Sequence, residues 1–247
     1  MDVGNTSTTY GLFDGKRFRT QGHIASLDVP KFVRDTLKNG SISPVDSALI
    51  TSVFPQISRR VKKILKGRLN GEIGVVGENV KVSIKHKYKY INKLGKDRLV
   101  NIYGALWFYK PPLLILDFGT ALTCDYVSKS GIFMGGLIIP GPEISLKALY
   151  EKTSQLPKVS FPKKDYPLAG RDTDSGMKAG ILYAYGAMTD GLIDRFQSKY
   201  GSCAVVLTGG LSHIISLYTR RVHILDPLLT LKSLARIYKE QVAKKPA

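Results

Sequence analysis

Two stretches of this sequence, DVGNTSTTYGLF from residue 2 and LDFGTALTCDYV from residue 116, carry the same device: an Asp, one residue, a Gly, hydroxyl side chains, then a strand-like run. The second copy has an apolar strand in front of it, after Pro111 and Pro112, and GIFMGGLIIPG behind it as a third strand. In the first copy TTYGLF reads as the second strand, and the Asp-Gly of FDGKRF as the hairpin into a third. A repeated unit of strands followed by a helix constrains the fold more than any composition does. It predicts an α/β protein of two similar domains, 1–110 and 111–247, facing each other across a cleft.

The segments between these devices fit that plan. Helices are predicted over about 29–39, over PQISRRVKKILKG and over about 96–109, where the Pro pair blocks continuation. SALITSVF and GEIGVVGE read as strands. In the second half, PEISLKALYEKTSQL and SGMKAGILYAYGAMTDGLIDRFQSKYG read as helices and SCAVVLTGG as a strand ending at a Gly pair, with HIISLY and LKSLARIYKEQV as short helices.

Net charge is +18, from 37 Lys and Arg against 19 Asp and Glu, which implies attraction for anions without choosing among them. The charge gathers in RRVKKILKGR (59–68), in 81–98 and in the tail KEQVAKKPA, runs that read first as solvated faces or a frayed end. No apolar run approaches 18 residues and no basic-then-apolar leader is present, so a cytoplasmic protein with no membrane partner is expected. Cys124 and Cys203 sit in apolar runs, as reduced core thiols do, and His23, His86, His213 and His223 form no spaced cluster.

An Asp at a strand end followed by Gly and hydroxyls suits a triphosphate. The Gly lets backbone amides approach phosphate oxygens, the hydroxyls donate, and the carboxylate holds a cation directly or through water. Gly135, Gly136, Gly209 and Gly210 would let a nucleotide lie against backbone. No G-x-x-x-x-G-K-[ST] occurs, so this is not the P-loop solution.

The set DVGNT, GKDRLVN (95–101), DFGTALTCDY, GGLIIPG, Asp172-Thr173, TGG (208–210) and DPLLTLKSL (226–234) resembles the type III pantothenate kinases, of the acetate and sugar kinase, actin and heat-shock chaperone superfamily. The resemblance implies two ribonuclease-H-like (actin-like) domains with mixed five-stranded sheets, and ATP-dependent phosphorylation of pantothenate, the first step of coenzyme A synthesis. It places Asp2, Val3, Gly4, Asn5, Thr6, Ser7, Thr8 and Thr9 at the first ATP-phosphate turn and Thr120 at the second, with ATP in the cleft between them. Asp97 matches the catalytic base, Gly95, Lys96 and Arg98 the substrate segment around it, and Tyr88 and Thr173 further substrate contacts. Asp117 matches the ligand of a monovalent cation, potassium or ammonium, and magnesium accompanies ATP. A homodimer with its active site near the subunit interface is also implied.

Three departures from the family pattern bear on these roles. Asp172 stands where relatives carry Asn, placing a carboxylate near an anionic substrate. YKYINKLG lacks the usual Pro after its Tyr-x-Asn stretch. Only Met1 precedes Asp2, so the opening strand is expected to be nearly absent and the first turn poorly anchored, as though the natural chain began upstream. Two other functions are compatible with the same scaffold, a non-catalytic transcriptional accessory factor or a kinase of another small hydroxy acid. No DNA-reading motif is recognisable, and nucleic acid is not an expected partner.

Overall fold

A computed structural model describes residues 1–38, 45–162, 165–221 and 223–242. The end of the predicted 29–39 helix and the last residues of the basic tail lie outside this set. The chain forms two compact units, Met1–Ile84 with Lys89–Trp107 and Leu229–Ala247, and Lys85–Tyr88 with Phe108–Leu228.

The first unit contains β1 (Asp2–Val3), β2 (Ser7–Phe13), β3 (Phe18–Ala25), α1 (Val29–Lys38), β4 (Ala48–Ser52), α2 (Pro55–Leu65), β5 (Ile73–Val75) and α3 (Lys96–Phe108). Its sheet has the order β3-β2-β1-β4-β5, with β1 antiparallel to β2 and parallel to β4. The opening strand is only two residues long, yet it is the central one, and the Thr51 amide donates to the carbonyl of Met1 at 3.0 Å. The β2–β3 turn forms because the Asp14 carboxylate accepts the Lys16 and Arg17 amides, both at 2.8 Å, while Gly15 takes φ +89°.

The second unit contains β6 (Leu113–Phe118), β7 (Ala121–Val127), β8 (Phe133–Pro140), α4 (Pro142–Lys152), α5 (Thr173–Tyr200), β9 (Ala204–Thr208), α6 (Ser212–Ile215) and β10 (Ile224–Leu225). Read from its far edge, its sheet is β8-β7-β6-β9-β10, the same order and the same strand directions as the first. The duplication seen in the sequence is therefore a duplication of topology, two ribonuclease-H-like sheets in which β1 and β6 are counterparts.

Strand alternation decides what each sheet face carries. In the first unit Val3, Ile50 and Val75 form one apolar cluster with Val29 and Val33 of α1 and Ile57, Val61 and Leu65 of α2. Asp2, Thr9 and Thr51, in register with one another, point to the opposite face. In the second unit Leu116, Phe118, Leu122 and Leu207 pack with Leu146 of α4, Leu182 of α5 and Ile215 of α6, and Asp117, Thr123 and Thr208 take the other face. Cys124 and Cys203 are buried, free thiols.

The last helix, α7 (Leu229–Ile237), belongs to the first unit, although the sequence predicts a second domain running to 247. Its buried Leu229, Leu231, Leu234 and Ile237 lie against β2 and β4. Thr230 donates to Asn101 of α3 at 2.7 Å, and the Arg236 guanidinium stacks over Trp107, 3.9 Å from the ring centre. Apolar spacing at every third or fourth residue specifies a face to bury, not which sheet will bury it.

Candidate active site

The first turn is built from backbone. The Gly4 amide donates to the Ser7 carbonyl at 3.1 Å, and a side chain on Gly4 would meet that oxygen at 2.7 Å. Asn5, Thr6 and Ser7 are exposed at the tip, whereas Val3 and Thr8 are buried beneath it. Ser26, which carries no motif of its own, pins the loop: its hydroxyl donates to the Gly4 carbonyl at 2.7 Å and is 3.0 Å from the Thr8 hydroxyl, and its amide donates to the Thr6 carbonyl. The Thr9 hydroxyl contacts His23 Nδ1 at 3.0 Å. The turn that the sequence left without an anchor is held from both sides.

The GKDR segment begins α3 in the same unit. Asp97 lies in the first helical turn, and its carboxylate accepts the amide of Arg98 at 2.8 Å. Gly95 precedes it so closely that a Cβ there would strike the Asp97 carboxylate, and the Lys96 stem lies 2.7 Å from where a Gly77 Cβ would be. Arg98 is 5% exposed, so this guanidinium works inside the protein rather than on its surface.

Asp2 and Asp97 feel one another. Burial pushes the Asp2 carboxyl up to about 7, and the negative charge of Asp97 adds to that rise. Positive charge placed beside Asp2 would offset that rise.

In the second unit Asp117 ends β6, and the Gly119 amide donates to the Ala121 carbonyl to close the second turn, with Thr120 half-buried at its tip. Gly209 has φ +89°, and a Cβ on it would run into the Asp117 carboxylate and the Phe118 amide, so only glycine admits this close approach. Gly136 likewise faces the Cys124 carbonyl and the buried Asp125. Gly210 faces open space.

Tyr88 belongs to this second unit, not to that of Asp97. Its ring stacks on Phe133, centroids 5.4 Å apart, while Phe133 exchanges backbone hydrogen bonds with Lys85 and Lys87 at 2.8 Å. Thr173 is exposed at the first position of α5. Asp172 caps that helix: its carboxylate accepts the Ser175 amide at 2.9 Å, and its own amide donates to the Ser175 hydroxyl. Those bonds hold its carboxyl below the ordinary value. The residue that departs from the family pattern thus has a structural task of its own.

Two identical sheets, each ending its central strand in an Asp-x-Gly turn, define the duplicated ribonuclease-H-like class that includes the acetate and sugar kinases, actin and the heat-shock chaperones. The model of one family, the type III pantothenate kinases, matches residues 1–195. A type III pantothenate kinase of Syntrophus aciditrophicus is 35% identical over 248 residues, 97% of each chain, and one of Agathobacter rectalis is 35% identical over 254 residues, 99% of this chain and 97% of its own. This chain belongs to the type III pantothenate kinase family. A solved structure described as a conserved candidate transcriptional activator of the Baf family, from Campylobacter jejuni, shares the fold, with TM-score 0.58 and 18% identity over 97% of this chain and 96% of its own.

Proposed function

We propose that this chain transfers the γ-phosphoryl group of ATP to the primary hydroxyl of pantothenate, giving 4'-phosphopantothenate and ADP, the first step of coenzyme A biosynthesis. The observation that carries this reading is membership of the type III pantothenate kinase family, together with the presence in one unit of the first Asp-x-Gly turn and of Asp97 in the first turn of α3.

Asp97 takes the proton from the hydroxyl as its oxygen attacks the γ-phosphorus and the bond to the β–γ bridging oxygen breaks. The exposed Asn5, Thr6 and Ser7 and the backbone of the Asp2–Thr9 turn bind phosphate oxygens, and Thr120 does so at the second turn. Arg98, with Gly95 and Lys96, holds the pantothenate carboxylate, a pairing that burial strengthens. Tyr88 and Thr173 are further substrate contacts. Residues suited to cations are present at both turns: magnesium with the phosphates at Asp2, whose ionised form is disfavoured until positive charge arrives, and potassium or ammonium at Asp117. Each would offset phosphate charge in place of a lysine.

The chain is read as a cytoplasmic homodimer. The edge strand β8 exposes Leu137 and Ile138, and α4 exposes Ile144, Leu149 and Tyr150, apolar surface of the kind a subunit contact covers. Among the described residues no helix is long and apolar enough to cross a membrane.

Mass spectrometry of the product formed from ATP, potassium and pantothenate tests the reading. Phosphopantothenate is expected. Folded protein that leaves pantothenate untouched but phosphorylates another hydroxy acid would reassign the substrate, and no phosphorylated product at all would remove the kinase assignment.

A further inference from the structure

Each turn carboxylate stands between two threonines. Asp2 is in register with Thr9 of β2 and Thr51 of β4, and Asp117 with Thr123 of β7 and Thr208 of β9. Thr51 and Thr208 occupy the same place in the two sheets, on the strand parallel to the one that carries the Asp. Both are 0% exposed, and the Oγ1 of each lacks a hydrogen-bond partner. Arg236 Nε completes the buried side-chain polar atoms that share this condition among the described residues.

A buried hydroxyl without a partner loses its hydration and gains nothing, and valine would fill the same volume without that loss. Packing gives no reason for a hydroxyl here. The neighbours Ile50 and Leu207 fill the apolar clusters on the opposite face, while Thr51 and Thr208 share the face of Asp2 and Asp117. That position, at the carboxyl ends of two parallel strands beside the strand where direction reverses, is where open α/β sheets bind ligands.

We propose that Thr51 and Thr208 are a duplicated pair of ligand-binding hydroxyls, each hydrogen-bonding, within its own unit, an oxygen of a metal–phosphate ligand held at its neighbouring carboxylate. That oxygen belongs either to a phosphoryl group or to a water of the cation. The inference rests on the kinase reading above and adds two residues to its site. In the ligand-free protein these hydroxyls weaken the fold, and in the complex they contribute to affinity, so one substitution acts on the two properties with opposite sign.

The test uses the full chain as wild type, Thr51→Val, Thr51→Ser, Thr208→Val and Thr208→Ser. Thermal unfolding is measured without ligand, and calorimetry is run with a non-hydrolysable ATP analogue, once with magnesium and potassium and once with both removed. The valine variants are expected to unfold about 2–4 °C higher than wild type and to bind the metal–nucleotide about tenfold more weakly, with the serine variants restoring binding. Weakening seen only with the metals present assigns the bonds to cation-bound water, and equal weakening in both assigns them to phosphate. Valine variants that bind like wild type overturn the proposal while leaving the kinase reading intact. A folded wild type that binds no nucleotide overturns both, and the kinase reading separately predicts ADP release.

Discussion

The carboxylate of Asp97, at the start of α3, raises the proton affinity of Asp2, the first residue of β1. Ninety-five positions apart in sequence, the two interact electrostatically within one unit, where alternation turns Asp2 away from the apolar cluster formed by Val3. The same alternation buries Val3 in the core. A strand of two residues thus joins the centre of the sheet and presents Asp2 on its other face.

The raised Asp2 carboxyl has a signed consequence for stability. Between its unfolded value of 3.8 and about 7 the folded chain holds at Asp2 a proton that the unfolded chain has released, so this group's contribution to stability falls as pH rises across that window and levels off above it, while the buried Met1 amine, lowered from 8.0 to about 6, acts with the opposite sign between those values. Asp2→Asn removes the penalty. At pH 8 and without ligand it should be more stable than wild type by up to about 4 kcal/mol, at roughly 1.4 kcal/mol per unit, with little difference near pH 4. Denaturant titrations at the two pH values check this. For wild type, affinity for magnesium nucleotide should rise with pH through about 7, since protonated Asp2 cannot serve the cation.

Gly209 should resist change. At φ +89°, with the Asp117 carboxylate and the Phe118 amide where a Cβ would go, Gly209→Ala is expected to lose about 1–3 kcal/mol of stability. It should also raise the potassium concentration needed for half-maximal turnover. Gly210→Ala, facing open space, should do neither. Unfolding curves and potassium titrations of the two variants separate them.

Asp172 is expected to act on stability rather than on substrate binding. Asp172→Ala should lower the melting temperature by a few degrees through loss of the α5 cap, whereas Asp172→Asn, a comparable cap, should hold it. A lower KM for pantothenate in Asp172→Asn would show that the carboxylate repels substrate as well.

The packing of α7 on α3 can be tested by overfilling it. A Cβ on Gly104 would fall on the Ser233 side chain, 2.5 Å from its Cβ, so Gly104→Ala should destabilise by about 1–3 kcal/mol even though alanine is the better helix former. Ser233→Gly in the same chain should recover most of that loss. A double-mutant cycle by denaturant unfolding gives the coupling directly.

The duplicated device was legible because each copy spends an Asp, a Gly and hydroxyls at a strand end, a combination with a chemical meaning of its own. The return of Leu229–Ile237 to the first unit was not, since Leu229, Leu231, Leu234 and Ile237 would suit either sheet, and specific contacts with Asn101, Gly104 and Trp107 tie the helix to the first. Thr51 and Thr208 were not legible for a related reason: a threonine near the end of an apolar strand is ordinary until register sets it beside a carboxylate. Asp172 carries a readable signal, an Asp with Ser three residues on at a helix start, and the capping box is what that pattern specifies.

The central claim is that Asp97 is the base of a pantothenate kinase. Coupled ADP release with pantothenate, ATP, magnesium and potassium, comparing wild type with Asp97→Asn, tests it most directly. The expected result is wild-type turnover that falls by about 10²–10⁴ in the variant, with melting temperature and nucleotide binding retained. An Asp97→Asn protein that turns over within a few fold of wild type would contradict it.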